Sequence, residues 1–395
     1  MVSQKMYQLG SCRSEIRELF EYGLKRKAEI GAENVYDFSL GNPSVPAPDC
    51  VKEALSELVL NTDPVALHGY TSAQGAPDVR KSCADYVNAN FGTSYTADNF
   101  YMTVGAAASL TITLTAISEE GAEVIVLAPF FPEYTVFINQ AGMTPVVVKC
   151  REEDFQVDFD ALQGAINENT KAIIINSPNN PSGVVFSEDT IKKLSEVMAD
   201  AQEKYGKEIY IIADEPYREL VYTEGVTVPF IPNYYNNTIV CYSFSKSLSL
   251  PGERIGYVLV PNTAKDWQDI YFAVCGAGRS LGFVCAPSLF QKIVPKCIGK
   301  TADISIYKKN RDILCDALAK YGYTVAQPDG AFYLFVKALE ADSRAFCEKA
   351  KKYELLLVPG DSFGYAGYVR ISYCVSTEMI QNSLASFEKL SKEYK

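Results

Sequence analysis

The sequence predicts an α/β protein, a mostly parallel sheet covered by helices, with a smaller α+β domain after it. Three observations carry that prediction. Between about residues 100 and 260 the β-rich runs are apolar throughout instead of alternating, as strands are when both faces of a sheet are covered. Helical patterns separate those runs, the spacing that parallel strands joined by crossovers require. After about residue 285 the rhythm changes, and two helical stretches lead into a run of strands and a closing helix.

In order along the chain, residues 14–30 read as a mostly polar amphipathic helix, and 40–49 as a loop rich in Asn and Pro. The predicted strands of the sheet are 100–104, 123–127, 144–148, 171–175, 209–213, 238–242 and 257–260. Helices are predicted over 106–118 and 187–205, the second opened by Ser187 as cap with Glu188 and Asp189 in its first turn. The later strands are 323–326, 331–336, 355–358 and 368–372. A chain of 395 residues, 48% hydrophobic and 22% charged, has material for two or three domains and a large core. The expected division is 1–45 as an N-terminal arm joining the small domain, 46–284 as the large domain and 285–395 as the small C-terminal domain.

The formal charge of −11, from 37 basic and 48 acidic residues, argues against nucleic acid or an anionic membrane as partner. Eleven cysteines (12, 50, 83, 150, 241, 275, 285, 297, 315, 347, 374) form no CxxC pair, which points to reduced, buried thiols. Residues 1–10 hold no apolar signal core, and no apolar run is long enough to span a bilayer, so cytoplasm is the expected address. His68 is the single histidine; a Ser-His-Asp triad would have to use it, and a His-rich metal site is excluded. No metal is expected, and His68 reads as structural. Acid–base chemistry falls to a lysine, a tyrosine or a carboxylate.

A lysine at the end of one β-run organises the candidate chemistry. Thr238-Ile239-Val240-Cys241-Tyr242 leads into Ser243-Phe244-Ser245-Lys246, and Arg254 follows in Pro251-Gly252-Glu253-Arg254-Ile255-Gly256. Hydroxyls and a guanidinium suit a phosphate, and a lysine beside them can form a Schiff base with an aldehyde. Pyridoxal phosphate carries both groups. An ordinary strand and loop with a solvated lysine would read the same, so the rest of the chain has to supply the other parts.

Further candidates stand at the ends of other predicted strands, where open α/β sheets bind ligands. Asp214 ends one of them, with Tyr217 three residues on; the carboxylate can hold a ring nitrogen protonated and the phenol can bond a ring oxygen. A turn-forming Asp and a packed Tyr are the plain alternative. Asn180 lies in Asn176-Ser177-Pro178-Asn179-Asn180-Pro181-Ser182-Gly183, either a simple turn or an amide offered to the ligand. Gly105-Ala106-Ala107-Ala108 starts a helix, where free N–H groups suit a phosphate or where small residues merely pack tightly. Arg370, in a strand expected to be buried, needs a partner: a substrate carboxylate or a structural acid.

With Gly41, Tyr70, Gly105-Ala106-Ala107, Phe131, Asn180, Asp214, Tyr217, Ser243-Phe244-Ser245-Lys246, Arg254 and Arg370 in this order, the chain resembles the class I/II aminotransferases. These are pyridoxal-phosphate enzymes built on the aspartate-aminotransferase fold, and the resemblance runs from about residue 36 to the C-terminus. It implies that Lys246 carries the internal aldimine and shuttles the substrate proton, with Asp214 on the pyridine nitrogen. Asn180 and Tyr217 would bond the 3′ oxygen, and Phe131 would stack on the ring. Ser243, Ser245, Arg254 and the amides beside Gly105, those of Ala106 and Ala107, would hold the phosphate. Tyr70 would reach the phosphate of the neighbouring subunit, making the working unit a homodimer with shared sites. Arg370 would take the α-carboxylate of an amino acid or 2-oxo acid, assisted by Gly41 and Asn180. The implied reaction is ping-pong transamination with 2-oxoglutarate as the expected 2-oxo acid.

Two departures bear on the substrate. Some bacterial aspartate aminotransferases place a lysine where this chain has Ala107, so that grip on a distal carboxylate is absent. Arg279, in Gly276-Ala277-Gly278-Arg279-Ser280-Leu281, lies near the region where other members donate an arginine across the dimer; an exposed structural arginine is the plain reading. A carbon–sulfur β-lyase, racemase or decarboxylase could use the same core residues. A cofactor-sensing regulator would need a DNA-binding module in the roughly 35 residues before the match. An inactive scaffold would normally have lost Lys246 or Asp214.

Overall fold

A computed structural model describes residues 2–11 and 14–395; Cys12 lies outside the described residues. The strands are β1 (Tyr36–Asp37), β2 (Phe100–Thr103), β3 (Glu123–Ala128), β4 (Thr144–Lys149), β5 (Thr170–Asn176), β6 (Tyr210–Asp214), β7 (Thr238–Ser243), β8 (Gly256–Leu259), β9 (Tyr333–Lys337), β10 (Leu355–Leu356), β11 (Val358–Pro359) and β12 (Tyr368–Ser372). Seven of them form one sheet in the order β2-β8-β7-β6-β5-β3-β4. Its inner pairs are parallel, and β8 alone runs antiparallel to both of its neighbours. Between β7 and β8 there is only the one-turn helix Phe244–Ser247 and a tight turn at Pro251–Glu253, too little chain for a crossover, so β8 returns alongside.

Alternation along each strand sends successive side chains into two different cores. Val124, Val126, Ala172, Ile174 and Ile212 join one cluster. Ile125, Leu127, Ile173, Ile175 and Ile211 join the other. Helices cover both faces, which is why the central positions of these strands are apolar on both sides. The predicted sheet therefore stands, with each strand within a few residues of its expected place.

The C-terminal part holds a small antiparallel sheet, β11-β12-β9, and the parallel pair β1-β10. One expectation fails here. Residues 323–326 form no strand, and only Val325 makes an isolated bridge to Val336. The reason is local: the helix Ser305–Tyr321 stops at left-handed Gly322, Tyr323 still bonds back to Leu318, and Pro328 removes a donor just beyond. The expected strand 355–358 is two short ones: Leu355–Leu356 pairs with β1, and Val358–Pro359 switches to β12. We propose the division into 1–45 with 285–395 and 46–284; helix Ser288–Cys297 nonetheless packs its Ile293, Val294 and Cys297 into the core of the large sheet.

The helix Glu15–Ile30 lies against the small domain. Gly23 approaches so closely that a Cβ there would meet Asp37 Oδ2 and Leu356 Cδ1, each at 2.9 Å. Arg26 pairs with Glu354, and Lys27 with Asp37 at 2.7 Å. Among the described residues the cysteines are unpaired. No helix among them is long and apolar enough to cross a membrane, and no group of His, Cys, Asp or Glu is arranged to hold a metal.

Phe335 of β9 is an aromatic hinge-pin between the two parts. It stacks on Tyr368 at 5.1 Å and meets Phe155, from the β4–β5 connection of the large sheet, edge-on at 5.6 Å. Truncation leaves a cavity as well as lost contacts, so Phe335→Ala should destabilise the protein by about 3–5 kcal/mol. Urea unfolding at constant cofactor concentration measures it; a loss below about 1 kcal/mol would contradict this packing.

Candidate active site

A cavity of about 280 Å³ opens at the carboxyl ends of β5, β6 and β7, where Asn176, Asp214 and Ser243 end their strands. This is the position an open α/β sheet reserves for ligands. It gathers Gly41, Ala106, Ala107, Phe131, Asn180, Asp214, Tyr217, Ser243, Ser245, Lys246, Arg254 and Arg370 from across the chain.

Asp214 is its most constrained group. The Tyr134 hydroxyl donates to Oδ2 at 2.5 Å, and Oδ1 is buried with no partner among the described residues. Burial pushes the carboxyl up to about 7, against the pull of the Tyr134 hydrogen bond and with a further push from Glu215. Lys246 projects from the one-turn helix and donates from Nζ to the Gly41 carbonyl at 2.8 Å. Burial brings its ammonium down to about 8; Cys374 opposes that shift, while Arg254 and Arg370 reinforce it.

An anion cradle lies beside the lysine. Ser243 caps the short helix, accepting from the Ser245 amide at 3.2 Å, and the two hydroxyls are 2.8 Å apart. Arg254, held in left-handed backbone at φ 53°, donates to Ser245 Oγ at 3.4 Å and to the Pro251 carbonyl at 2.9 Å. Gly105 presses on that guanidinium: its φ is +90°, and a Cβ would stand 2.7 Å from Arg254 Nη2. The helix Ala106–Ala116 that starts there has no side-chain cap, so its first amides are free for a ligand.

At the other side Arg370 is fully buried between the rings of Tyr333 and Phe363, each 4.8 Å from the guanidinium. It donates to Asn180 Oδ1 at 3.2 Å and to the Ser39 carbonyl at 2.5 Å, both neutral acceptors, and Nε has no partner among the described residues. Asn180 is itself fixed by Asn176, whose Oδ1 accepts its amide at 2.8 Å. The Tyr217 hydroxyl lies 2.9 Å from that of Tyr333.

These donors fit pyridoxal phosphate on the structure's own terms. A buried carboxylate oxygen without a partner suits a protonated ring nitrogen. The uncapped helix start with two serines and Arg254 suits a phosphate, and a lysine of lowered pKa suits an aldehyde. Gly105 stands behind Arg254 and does not itself line the cavity. Tyr70 and Arg279, expected to act across a dimer, lie outside this chain's own cavity: Tyr70 is 91% exposed, and Arg279 is exposed in the last turn of Trp267–Ser280. His68 is exposed at the end of the helix Pro64–His68. Sequence reading missed Tyr333, Asn176 and the hold of Tyr134 on Asp214. A tyrosine three residues after Phe131, on the same face of a helical turn, was the available hint for Tyr134; Tyr333 had none.

Comparison with known proteins agrees with this geometry. The family described as "Aminotransferase class I and II" matches residues 33–387. An aspartate aminotransferase of Pyrococcus horikoshii is 32% identical over 386 residues, covering 95% of this chain and 94% of its own. A solved aminotransferase from Eubacterium rectale is 59% identical with a TM-score of 0.98, covering 100% of this chain and 99% of its own. The solved aspartate aminotransferase of Thermotoga maritima is 28% identical with a TM-score of 0.86, covering 98% and 99%.

The raised carboxyl of Asp214 has a signature in the cofactor-free protein. Between its ordinary 3.8 and about 7 the folded chain holds a proton that the unfolded chain releases, so stability falls as pH rises through that window. Asp214→Asn has no such proton and should gain on the wild type by up to about 4 kcal/mol across it. Paired urea titrations from pH ~5 to ~7.5 should show about 2–3 kcal/mol of that gain. A level difference would mean that the carboxyl ionises in its ordinary range.

Proposed function

We propose that this chain, which belongs to the class I and II aminotransferases and is a pyridoxal-phosphate-dependent transaminase, exchanges amino groups between neutral or aromatic L-amino acids and 2-oxoglutarate. The observation that carries the substrate reading is Arg370, a buried guanidinium with aromatic faces and neutral acceptors but no acid. Such a charge is costly to bury unpaired, and a substrate α-carboxylate can meet it bidentately.

When bound, the cofactor supplies an electron sink for the bonds at the substrate Cα. The chain does the rest. Asp214, its Oδ1 unpartnered, would hold the ring nitrogen protonated, while Tyr134 fixes the carboxylate through its other oxygen. Ser243, Ser245, Arg254 and the amides of Ala106 and Ala107 would hold the phosphate. Phe131 would cover the ring, and Asn180 and Tyr217 would bond its 3′ oxygen. Gly41 offers its backbone beside the substrate carboxylate. Lys246 Nζ, with a pKa brought down to about 8, is available as the neutral base that removes the Cα proton.

The side-chain end of the cavity supports the preference for neutral donors. Ile16, Leu40 and Phe131 line it, and among the described residues its only cations are Lys246, Arg254 and Arg370. Relatives named for aspartate suggest a dicarboxylate donor instead. In this chain a second cation would have to come from a partner subunit, with Arg279 as the candidate.

The assembly we propose is a homodimer. Val65, Tyr70, Phe272, Leu281 and Val284 are large exposed apolar side chains in two segments. Helix Ser288–Cys297 holds the first of these, with Ser288 donating to the Leu67 carbonyl at 3.0 Å and Gln291 to Thr71 Oγ1 at 3.0 Å. A loop fixed this firmly, yet carrying an outward Tyr70, is suited to reach into a neighbour's site.

Holoenzyme given 2-oxoglutarate should form glutamate from phenylalanine, leucine or alanine at least as fast as from aspartate. Lys246→Ala should lower that rate by more than ~10³-fold. A strong preference for aspartate would overturn the apolar reading, and near-wild-type turnover in Lys246→Ala would overturn the base.

Tyr70→Phe should loosen cofactor retention. Mixed with Lys246→Ala, it should give hybrid dimers in which one site carries both lesions and the other neither. Activity above either parent is the expected result; none, despite proven subunit exchange, would count against a shared site.

A further inference from the structure

Ile16 enters the cavity from the first turn of helix Glu15–Ile30, and the residue before it is a carboxylate with two partners from the small domain. Glu15 Oε1 accepts from Arg344 Nε at 2.7 Å, and Oε2 accepts from the Ser362 hydroxyl. Arg344 also pairs with Asp361 at 3.4 Å, whose other oxygen takes the Ser343 hydroxyl. Glu15 thus ties the helix start to the N-terminus of helix Ser343–Lys351 and to the turn Gly360–Phe363. That turn ends in Phe363, whose ring covers the Arg370 guanidinium. One carboxylate therefore relates the place of Ile16 to that of Arg370.

The rest of the helix is secured separately, by Arg26 on Glu354, Lys27 on Asp37 and the close seat of Gly23. Losing Glu15 would loosen the first turn and leave the helix docked. Ser14 caps that turn, accepting from the Arg17 amide at 3.4 Å, and among the described residues it makes no tie to the small domain.

We propose that Glu15, with Arg344 and Ser362, is a latch that seats Ile16 against the side chain of the amino donor and so favours apolar donors. This rests on the reading of the cavity as an amino-acid site. Glu15 is a positioning residue that acts through Ile16. The side chains of the pair are 35% and 58% exposed, which solvent screens, so the expected effect is a several-fold change and not a loss of activity.

The test uses holoenzyme with Glu15→Ala, Glu15→Gln, Ile16→Ala and the double variant Glu15→Ala/Ile16→Ala. KM for phenylalanine should rise roughly two- to fivefold in Glu15→Ala. Its kcat should stay within about twofold, and KM for alanine, whose methyl is too short to use Ile16, should hold. Glu15→Gln, which keeps an acceptor for one partner, should recover part of the loss. The double variant should be no worse than Ile16→Ala alone, because Glu15 then has nothing left to position. Additive losses in the double variant, or equal losses on alanine and phenylalanine, would overturn the role in selection. Amide hydrogen exchange over residues 14–19 should quicken in Glu15→Ala and stay unchanged over 23–30. Unchanged exchange at 14–19 would overturn the latch itself. Failure of the wild type on every neutral donor would overturn the substrate reading, whereas the exchange result judges the latch independently of it.

Discussion

Two buried ionisable groups without full compensation dominate this molecule: Asp214, with one oxygen bonded and one left over, and Arg370, held by neutral groups alone. Each is costly to bury without a partner, so the fold has to hold Asp214 in place for a ligand and then bring Arg370 to the same cavity. The parallel sheet does the first part. It brings Asp214 to the end of a strand apolar at every earlier position, in a layer with helices on both sides. The small domain does the second, carrying Arg370 on β12 and shielding it with Tyr333 and Phe363.

The same opposition explains the lysine. A charged Nζ in this cavity has two cations nearby and a carbonyl for company, and burial lowers its pKa further. An amine of that kind is a stronger candidate for covalent chemistry than any surface lysine, since its neutral form is populated near physiological pH. The arrangement needs no histidine, and the one present, His68, stands exposed at a helix end.

Much of this was legible in the sequence, for a physical reason. Strands covered on both faces announce themselves as uninterrupted apolar runs, and the groups at their ends then have a known place relative to one another. Asn180, Asp214, Ser243, Ser245 and Lys246 were readable in that way. Tyr333 was not, because its hydroxyl meets Tyr217 across the contact of two domains and nothing local marks it. The pair of Tyr134 with Asp214 spans 80 residues and needs the sheet order to be seen. The segment 323–326 misled because β-branched and aromatic residues promised a strand that neighbouring Gly322 and Pro328 cut to a single bridge. Tyr70 and Arg279 were named from resemblance alone, and both stand exposed on this chain's surface.

The bond from Arg370 to the Ser39 carbonyl joins residues 331 positions apart, and β1 finds its partner β10 only near the other end of the chain. A ribosome delivers Ser39 and Gly41 early and Arg370 almost last. The large sheet can form as it emerges, but the pocket stays open on one side until about nine-tenths of the polypeptide has been made. Contacts of such separation are slow to find, because closing the loop costs entropy before anything is gained. The nascent chain therefore has a fold before it has a reactive centre. A product interrupted after Lys246 and before β12 would hold Lys246 and Asp214 without the clamp that gives them a substrate.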